Sequence, residues 1–241
     1  AKAFGSTARE IEADGFNISA RVPTAPAADS SRAAAEALGA GTKGFAQALA
    51  RLAPDIMVVL GDRLELLAAC SAAVALRVPI AHIHGGEASE GVLDEQVRHA
   101  VTKLAHLHLP AAEPYRRRIL QMGEDPRRVV LTGAPGLENL ADLTPLPRCE
   151  LERRVGLDLS RPYAVVTCHP ETTGRVDLAV VGAALGALDA LKLPAVLTLA
   201  NSDAGGAAVN RRVLAWARAR PGRARAVASL GSVAYASLLR R

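Results

Sequence analysis

Aromatic side chains are almost missing: they make up 3% of the 241 residues, with one Trp, three Tyr and three Phe. A single-strand nucleic-acid binder needs such rings as stacking platforms, so that class is set aside. Cysteine is equally sparse. Cys70, Cys149 and Cys168 show neither metal-type spacing nor disulfide density, which fits a reducing compartment. No apolar run approaches the ~18 residues of a membrane span; candidates such as Ile56 to Leu60 are strand-sized, so no membrane partner is expected. The opening Ala1-Lys2-Ala3-Phe4-Gly5-Ser6 is not a basic start followed by an apolar stretch. No secretory signal is expected, and a cytoplasmic location is the expectation.

What is present is ordinary for a globular protein. Apolar residues form 50% and charged residues 22% of the chain, enough to build a core and exclude gross disorder. The net charge of +5 permits an anionic partner without naming one. Arginines at 211, 212, 218, 220, 223 and 225 read as a solvated basic helix end, given the few aromatics.

Short β-branched runs alternate with alanine-rich amphipathic stretches. Strands are expected at Phe16–Val22, Asp55–Leu60, Pro79–Ile83, His106–Leu109 and Val129–Leu131. Helices are expected at Ser31–Leu52, with doubtful continuity at Gly39, Gly41 and Gly44, and at 64–76, 93–104 and 112–122. After a Pro-punctuated stretch around 142–162, strands at 163–167, 195–199 and 224–230 enclose helices at 176–191 and 207–219. The pattern predicts an α/β protein of two Rossmann-like, doubly wound domains, residues 1–145 and 146–241, with the second incomplete.

Open α/β sheets bind ligands beyond the carboxyl ends of their strands, and polar residues cluster there. Gly61-Asp62-Arg63 follows the first strong strand; Asp62 reads either as a helix N-cap or as a group facing the crevice. His84-Gly85-Gly86-Glu87 follows the next, where two glycines let the backbone approach a ligand. His82, two residues before His84, reads as a buried core imidazole. On the following helix Asp94 and Arg98 are four apart, as are Glu95 and His99; the plain reading is surface ion pairs. His169, past a later strand, is an acid/base candidate, and its neighbour Cys168 points to the opposite face. Asn201 and Asp203 begin a Gly-rich loop that can seat phosphate or sugar hydroxyls. The imidazoles at 82, 84, 99, 106 and 108 invite zinc but lack a ligand spacing, so no metal site is expected.

From Gly61 to Leu140 the chain resembles the UDP-N-acetylglucosamine 2-epimerases, closest to the hydrolysing branch that feeds sialic and legionaminic acid synthesis. GDR at 61–63, HIHGGE at 82–87, DEQVRHAVTKLAH at 94–106, QMGEDPRRV at 121–129 and GAPGLE at 133–138 carry the resemblance. It extends more thinly back to Phe4-Gly5 and 11–16, and forward through His169-Pro170 and 201–206. The resemblance implies two domains of the glycosyltransferase-B type, a cleft active site, a homodimer, and no metal or redox cofactor. It also implies a reaction. UDP is eliminated across C1–C2 of a UDP-sugar, and water adds to the resulting glycal with inverted stereochemistry at C2.

By resemblance, Asp62, Asp94 and Glu95 share the C2 proton transfers, Arg98 and His169 handle the anionic leaving group, and Arg63, Asn201 and Asp203 bind substrate. Many relatives read HIEGGE, with a catalytic Glu where this chain has His84, so either His84 or Glu87 supplies that group. HIHGGE tilts the substrate toward UDP-2,4-diacetamido-2,4,6-trideoxyglucose over UDP-N-acetylglucosamine. The family's Gly-Thr-Arg turn is expected before Ala1, and its serine-rich nucleotide loop after Arg241. Residues 1–241 alone are therefore expected to bind UDP poorly and to be inactive. A non-hydrolysing epimerase, an inactive UDP-sugar-binding module and a metal-dependent hydrolase are the alternatives.

Overall fold

The structure is a computed structural model that describes residues 8–28, 30–171, 177–201 and 205–240. The chain divides into two compact units, Ile11–Glu138 and Asn139–Arg241, with residues 8–10 grouped with the second.

After the short helix α1 (Ala8–Ala13), the first unit runs α2 (Ser31–Leu52), β1 (Met57–Leu60), α3 (Leu64–Ala75), β2 (Ile80–Ile83), α4 (Asp94–Leu104), β3 (Leu107–Leu109) and α5 (Glu113–Gln121). The strands are parallel and adjacent in chain order, with Val59 beside His82 and His82 beside His108. This is a βαβαβ half of a Rossmann-like fold. Its core gathers Leu49 of α2, Val59, Cys70, Ala73, Ile80, Val97 and Val101. Each fully buried Val or Ile contributes about 1.5–3 kcal/mol. The opposite face of β1 is bare: Val58 and Leu60 are 59% and 57% exposed.

The glycines of α2 do not interrupt it. Ser30 caps its start, its hydroxyl accepting from the Ala33 N–H at 3.2 Å. After 22 helical residues Ala53 closes it in the left-handed conformation. A Cβ on Gly44 would lie 2.6 Å from Val22 Cγ1, and one on Gly41 would lie 3.2–3.3 Å from Thr24 Cγ2 and Ala68 Cβ. The glycines thus let the segment around Val22–Thr24 and helix α3 approach α2 closely. This corrects a second expectation too. Phe16–Val22 forms no strand and joins no sheet, and its end at Val22 packs against α2 instead. Val129–Leu131 is likewise no full strand; Val129 makes one isolated parallel bridge to His108.

Helix α6 (Pro135–Ala141) leads into the second unit: α7 (Arg148–Val155), β4 (Ala164–Thr167), α8 (Ala179–Leu191), β5 (Ala195–Thr198), α9 (Gly206–Arg218), β6 (Ala224–Val227) and α10 (Gly231–Leu239). Its sheet is again parallel, in the order β4-β5-β6. Here both faces are covered, the common arrangement for a parallel sheet. One core joins Val181, Leu185, Leu197, Val209 and Val213; the other joins Leu151, Val155, Val196, Ala234 and Leu238. Helix α10, which the sequence pattern did not suggest, is tied down at two points. Leu146 N–H donates to Ser237 Oγ at 2.9 Å, and Tyr163 Oη donates to Leu238 O at 2.7 Å.

Candidate active site

Gly61, with φ at +87°, turns the chain out of β1. Its N–H donates to Ile83 O at 3.0 Å, and its carbonyl accepts from His82 Nε2 at 2.7 Å. The turn is therefore bolted to β2, and Asp62 is delivered beyond the strand end. Asp62 is not the cap of α3. Arg63 occupies that position, with no side-chain cap, and the Asp62 carboxylate instead accepts from Arg98 Nη2 of α4. Arg63 Nε turns toward Glu65 at 3.0 Å.

His82 is the buried core imidazole that the sequence suggests. It is fully enclosed, with Nδ1 3.3 Å from Thr102 Oγ1, and burial pushes its pKa down to about 4. A Cβ on Gly85 would come within 2.9 Å of that Nδ1, and one on Gly86 within 2.5 Å of Tyr115 O. The two glycines therefore admit the protein's own side chains and helix α5 to the turn. Arg118 of α5 seals it by donating to Gly86 O.

His84 leaves β2 with φ at +63°, a left-handed value that a non-glycine residue seldom adopts. Same-face alternation with His82 ends there, since it holds only along a strand. Its Nδ1 lies 2.5 Å from Glu87 Oε1, in a half-buried pair. Non-glycine residues held in sparsely populated backbone regions cluster at functional sites.

Asp94 and Glu95 open α4, where carboxylates suit the positive end of the helix dipole. Glu95 Oε2 accepts from the Ser89 N–H at 2.6 Å, and its Oε1 meets His99 Nε2 at 3.0 Å. The Glu95–His99 pair on one helix face forms as the spacing implies. Arg98 is far from a surface ion-pair residue. It is only 6% exposed, and it reaches Asp62 and, at 3.1 Å, Ser89 Oγ. Burial pushes its guanidinium pKa below the ordinary value, and its Nε has no hydrogen-bond partner among the described residues. Asp62, Glu95 and Arg98 are thus brought into one network with Ser89, a residue that no motif marks. Its only sequence signal is its place in the turn between HIHGGE and α4.

In the second unit His169 follows β4 and is exposed, while Asn201 follows β5. Thr167 and Thr198, paired in the register of β4 and β5, join their hydroxyls at the strand ends. Asn210 of α9 clamps the chain just before Asn201. Its Oδ1 accepts from Ala200 N at 2.7 Å, and its Nδ2 donates to Ala200 O at 3.1 Å. Asp203 lies outside the described residues. Partial burial raises the Cys168 pKa, which disfavours a thiolate beside His169.

Other charged groups have structural partners. His106 Nδ1 accepts from Ile80 N–H at 3.3 Å, and His108 Nε2 lies 3.1 Å from Glu124. Among the described residues no three His, Cys, Asp or Glu side chains are grouped to hold a metal ion. Arg220 and Arg223 both grip Asp189, and Arg220 stacks 4.4 Å over the Trp216 ring. Among the described residues no helix is long and apolar enough to cross a membrane.

The family profile described as UDP-N-acetylglucosamine 2-epimerase matches residues 1–241. A Campylobacter jejuni protein named GDP/UDP-N,N'-diacetylbacillosamine 2-epimerase (hydrolyzing) is 30% identical over 98% of this chain and 62% of its own. A Legionella pneumophila UDP-N,N'-diacetylbacillosamine 2-epimerase (hydrolyzing) is 36% identical over 84% of this chain and 54% of its own. The chain therefore spans roughly half to three-fifths of these relatives. In fold, it is similar to the UDP-GlcNAc 2-epimerase from Neisseria meningitidis crystallised with UDP-GlcNAc, with a TM-score of 0.68 at 16% identity over 85% of this chain and 57% of that one. The enzyme from Methanocaldococcus jannaschii in complex with UDP-GlcNAc and UDP gives 0.66 at 16% identity, over 85% and 57%. With its two parallel α/β units and its polar strand ends, this chain belongs to the UDP-N-acetylglucosamine 2-epimerase family.

Proposed function

We propose that the whole protein is a hydrolysing nucleotide-sugar 2-epimerase whose substrate is a UDP-linked 2,4-diacetamido-2,4,6-trideoxy sugar. One observation carries the chemistry: a carboxylate, Asp62, stands at a strand's carboxyl end against the buried guanidinium of Arg98. The names of the Campylobacter and Legionella relatives support the substrate and the hydrolytic outcome.

The reaction begins when a carboxylate removes the C2 proton. The C2–H electron pair forms the C1=C2 double bond, the C1–O bond breaks, and UDP departs with that bond's electrons. Water then returns hydroxyl to C1, and an acid delivers a proton to C2 from the other face. The sum is UDP-sugar plus water giving free 2-epimer plus UDP. Two proton-transfer groups are needed on opposite faces of the sugar. We assign one to Asp62, with Asp94 and Glu95 beside the substrate, and the other to the His84–Glu87 pair. Glu87 orients the imidazole through Nδ1, which leaves Nε2 to exchange the proton. Arg98, engaged by Asp62, fixes that carboxylate and balances its charge. The diphosphate falls to His169 and Asn201, with Arg63 and Asp203 completing the substrate contacts. Homodimer formation and a cytoplasmic location belong to the same proposal.

The test is turnover of both UDP-sugars by the whole protein in deuterated water. The expected products are UDP and a free sugar carrying deuterium at C2, with the higher kcat/KM for the diacetamido substrate. Sugar that retains UDP would select a non-hydrolysing epimerase. Saturable binding without UDP release would make the protein a binding module. A preference for UDP-N-acetylglucosamine would overturn the substrate assignment.

A further inference from the structure

We propose that Ser89 is a positioning residue for this reaction: its hydroxyl sets the orientation in which the Arg98 guanidinium meets Asp62. The inference rests on the reading of Asp62 and Arg98 given above. Arg98 projects from α4 into a nearly closed space, 6% exposed. Its two terminal nitrogens have separate acceptors, Asp62 for Nη2 and Ser89 Oγ for Nη1. A guanidinium is planar and rigid, so holding Nη1 at 3.1 Å fixes the direction in which Nη2 points. With Nε unpartnered among the described residues, Ser89 and Asp62 are the side chains that orient the fork.

Ser89 is well placed for this because its backbone is itself anchored. Its N–H donates to Glu95 Oε2 at 2.6 Å, and Glu95 is braced by His99. The same residue thus ties a loop to two α4 side chains one turn apart, through different atoms. Removing the hydroxyl leaves the N–H to Glu95 in place, so the two contacts are separable by mutation.

The experiment compares Ser89→Ala and Ser89→Thr in the whole protein, followed by UDP release. For Ser89→Ala the expected result is a fall in kcat of about tenfold, the size of one charge-assisted hydrogen bond, with KM within about twofold. Ser89→Thr keeps the hydroxyl and is expected to recover most of that loss. In the background of Arg98→Lys, which keeps the charge but lacks the fork, Ser89→Ala is expected to add little. Three results would overturn the proposal: unchanged kcat in Ser89→Ala, a rise in KM alone, or an equal loss in both backgrounds. They would leave Ser89 a loop anchor. Normal turnover in Arg98→Lys and in Arg98→Met would instead remove Arg98 from the mechanism, and the reading of the site would fail before Ser89 is reached.

Discussion

His84 Nδ1 and Glu87 Oε1 stand 2.5 Å apart across a turn that holds His84 in a left-handed backbone conformation. The carboxylate engages Nδ1 and leaves Nε2 as the ring's other nitrogen. If this pair is an acid/base group, its members act as a unit. His84→Gln and Glu87→Gln are each expected to lower kcat by about 10²–10⁴-fold. The double variant should be little worse than the worse single one. Steady-state UDP release measures all three, and full additivity would show that the two residues act separately.

Asp62 meets a buried partner, the Arg98 guanidinium. Asp62→Asn keeps the shape and removes the charge that Arg98 meets, so kcat/KM is expected to fall at least about 10²-fold. Because Arg98 is then a buried cation without its counter-charge, stability should also fall, by about 1–3 kcal/mol. Urea unfolding followed by circular dichroism checks the second effect. Near-normal turnover would exclude Asp62 from catalysis.

The turn after β2 tolerates only glycine at position 86. Its φ is +75°, and a Cβ would lie 2.5 Å from Tyr115 O and 2.7 Å from Ile119 Cγ1. Gly86→Ala combines backbone strain with overpacking, and a loss of about 2–4 kcal/mol is expected. The denaturation midpoint measures it. A loss under ~0.5 kcal/mol would mean that α5 yields easily.

His82 makes stability depend on pH. A free imidazole titrates near 6.5, while burial pushes His82 down to about 4. Between those values the unfolded chain takes up a proton that the folded chain refuses. Stability is therefore full above about pH 6.5 and lost as pH falls toward 4, by about 3 kcal/mol. His108, also shifted down by burial, acts in the same direction. Unfolding free energies measured at about pH 7.5 and about pH 5 should differ more in the native protein than in His82→Gln. An unchanged difference would place the effect elsewhere.

Asn210 offers a comparable test in the second unit. Asn210→Ala frees the Ala200 backbone that precedes Asn201. We expect KM for the UDP-sugar to rise several-fold, about 1 kcal/mol of binding, with kcat less affected. Unchanged KM would detach the clamp from substrate binding.

Much of this molecule is local enough to be read from the chain. The apolar runs 57–60, 80–83, 164–167 and 195–198 are strands because continuous β-branched and aliphatic stretches suit a parallel ladder, and the central two, 80–83 and 195–198, are buried along most of their length. Glycine or polar residues directly after such runs mark the strand ends, which is why Asp62, His84, His169 and Asn201 are legible in the sequence. The GDR, HIHGGE and DEQVRH motifs fixed the family for the same reason: they are short and contiguous.

Three features needed the tertiary structure. Phe16–Val22 has a strand's alternation, yet α2 offers it a glycine-lined track and the sheet does not receive it, a choice that local propensity does not encode. The i,i+4 spacing of Asp94 and Arg98 suggests a surface pair of little value. The fold instead sends Arg98 36 residues back, to Asp62, because β1 and α4 meet at the same end of the sheet. Ser89 has no motif of its own; its importance lies in two contacts that exist only once the turn closes over α4. Periodicity and turn chemistry are properties of neighbours along the chain, whereas the partner of a buried charge is set by which elements the core draws together.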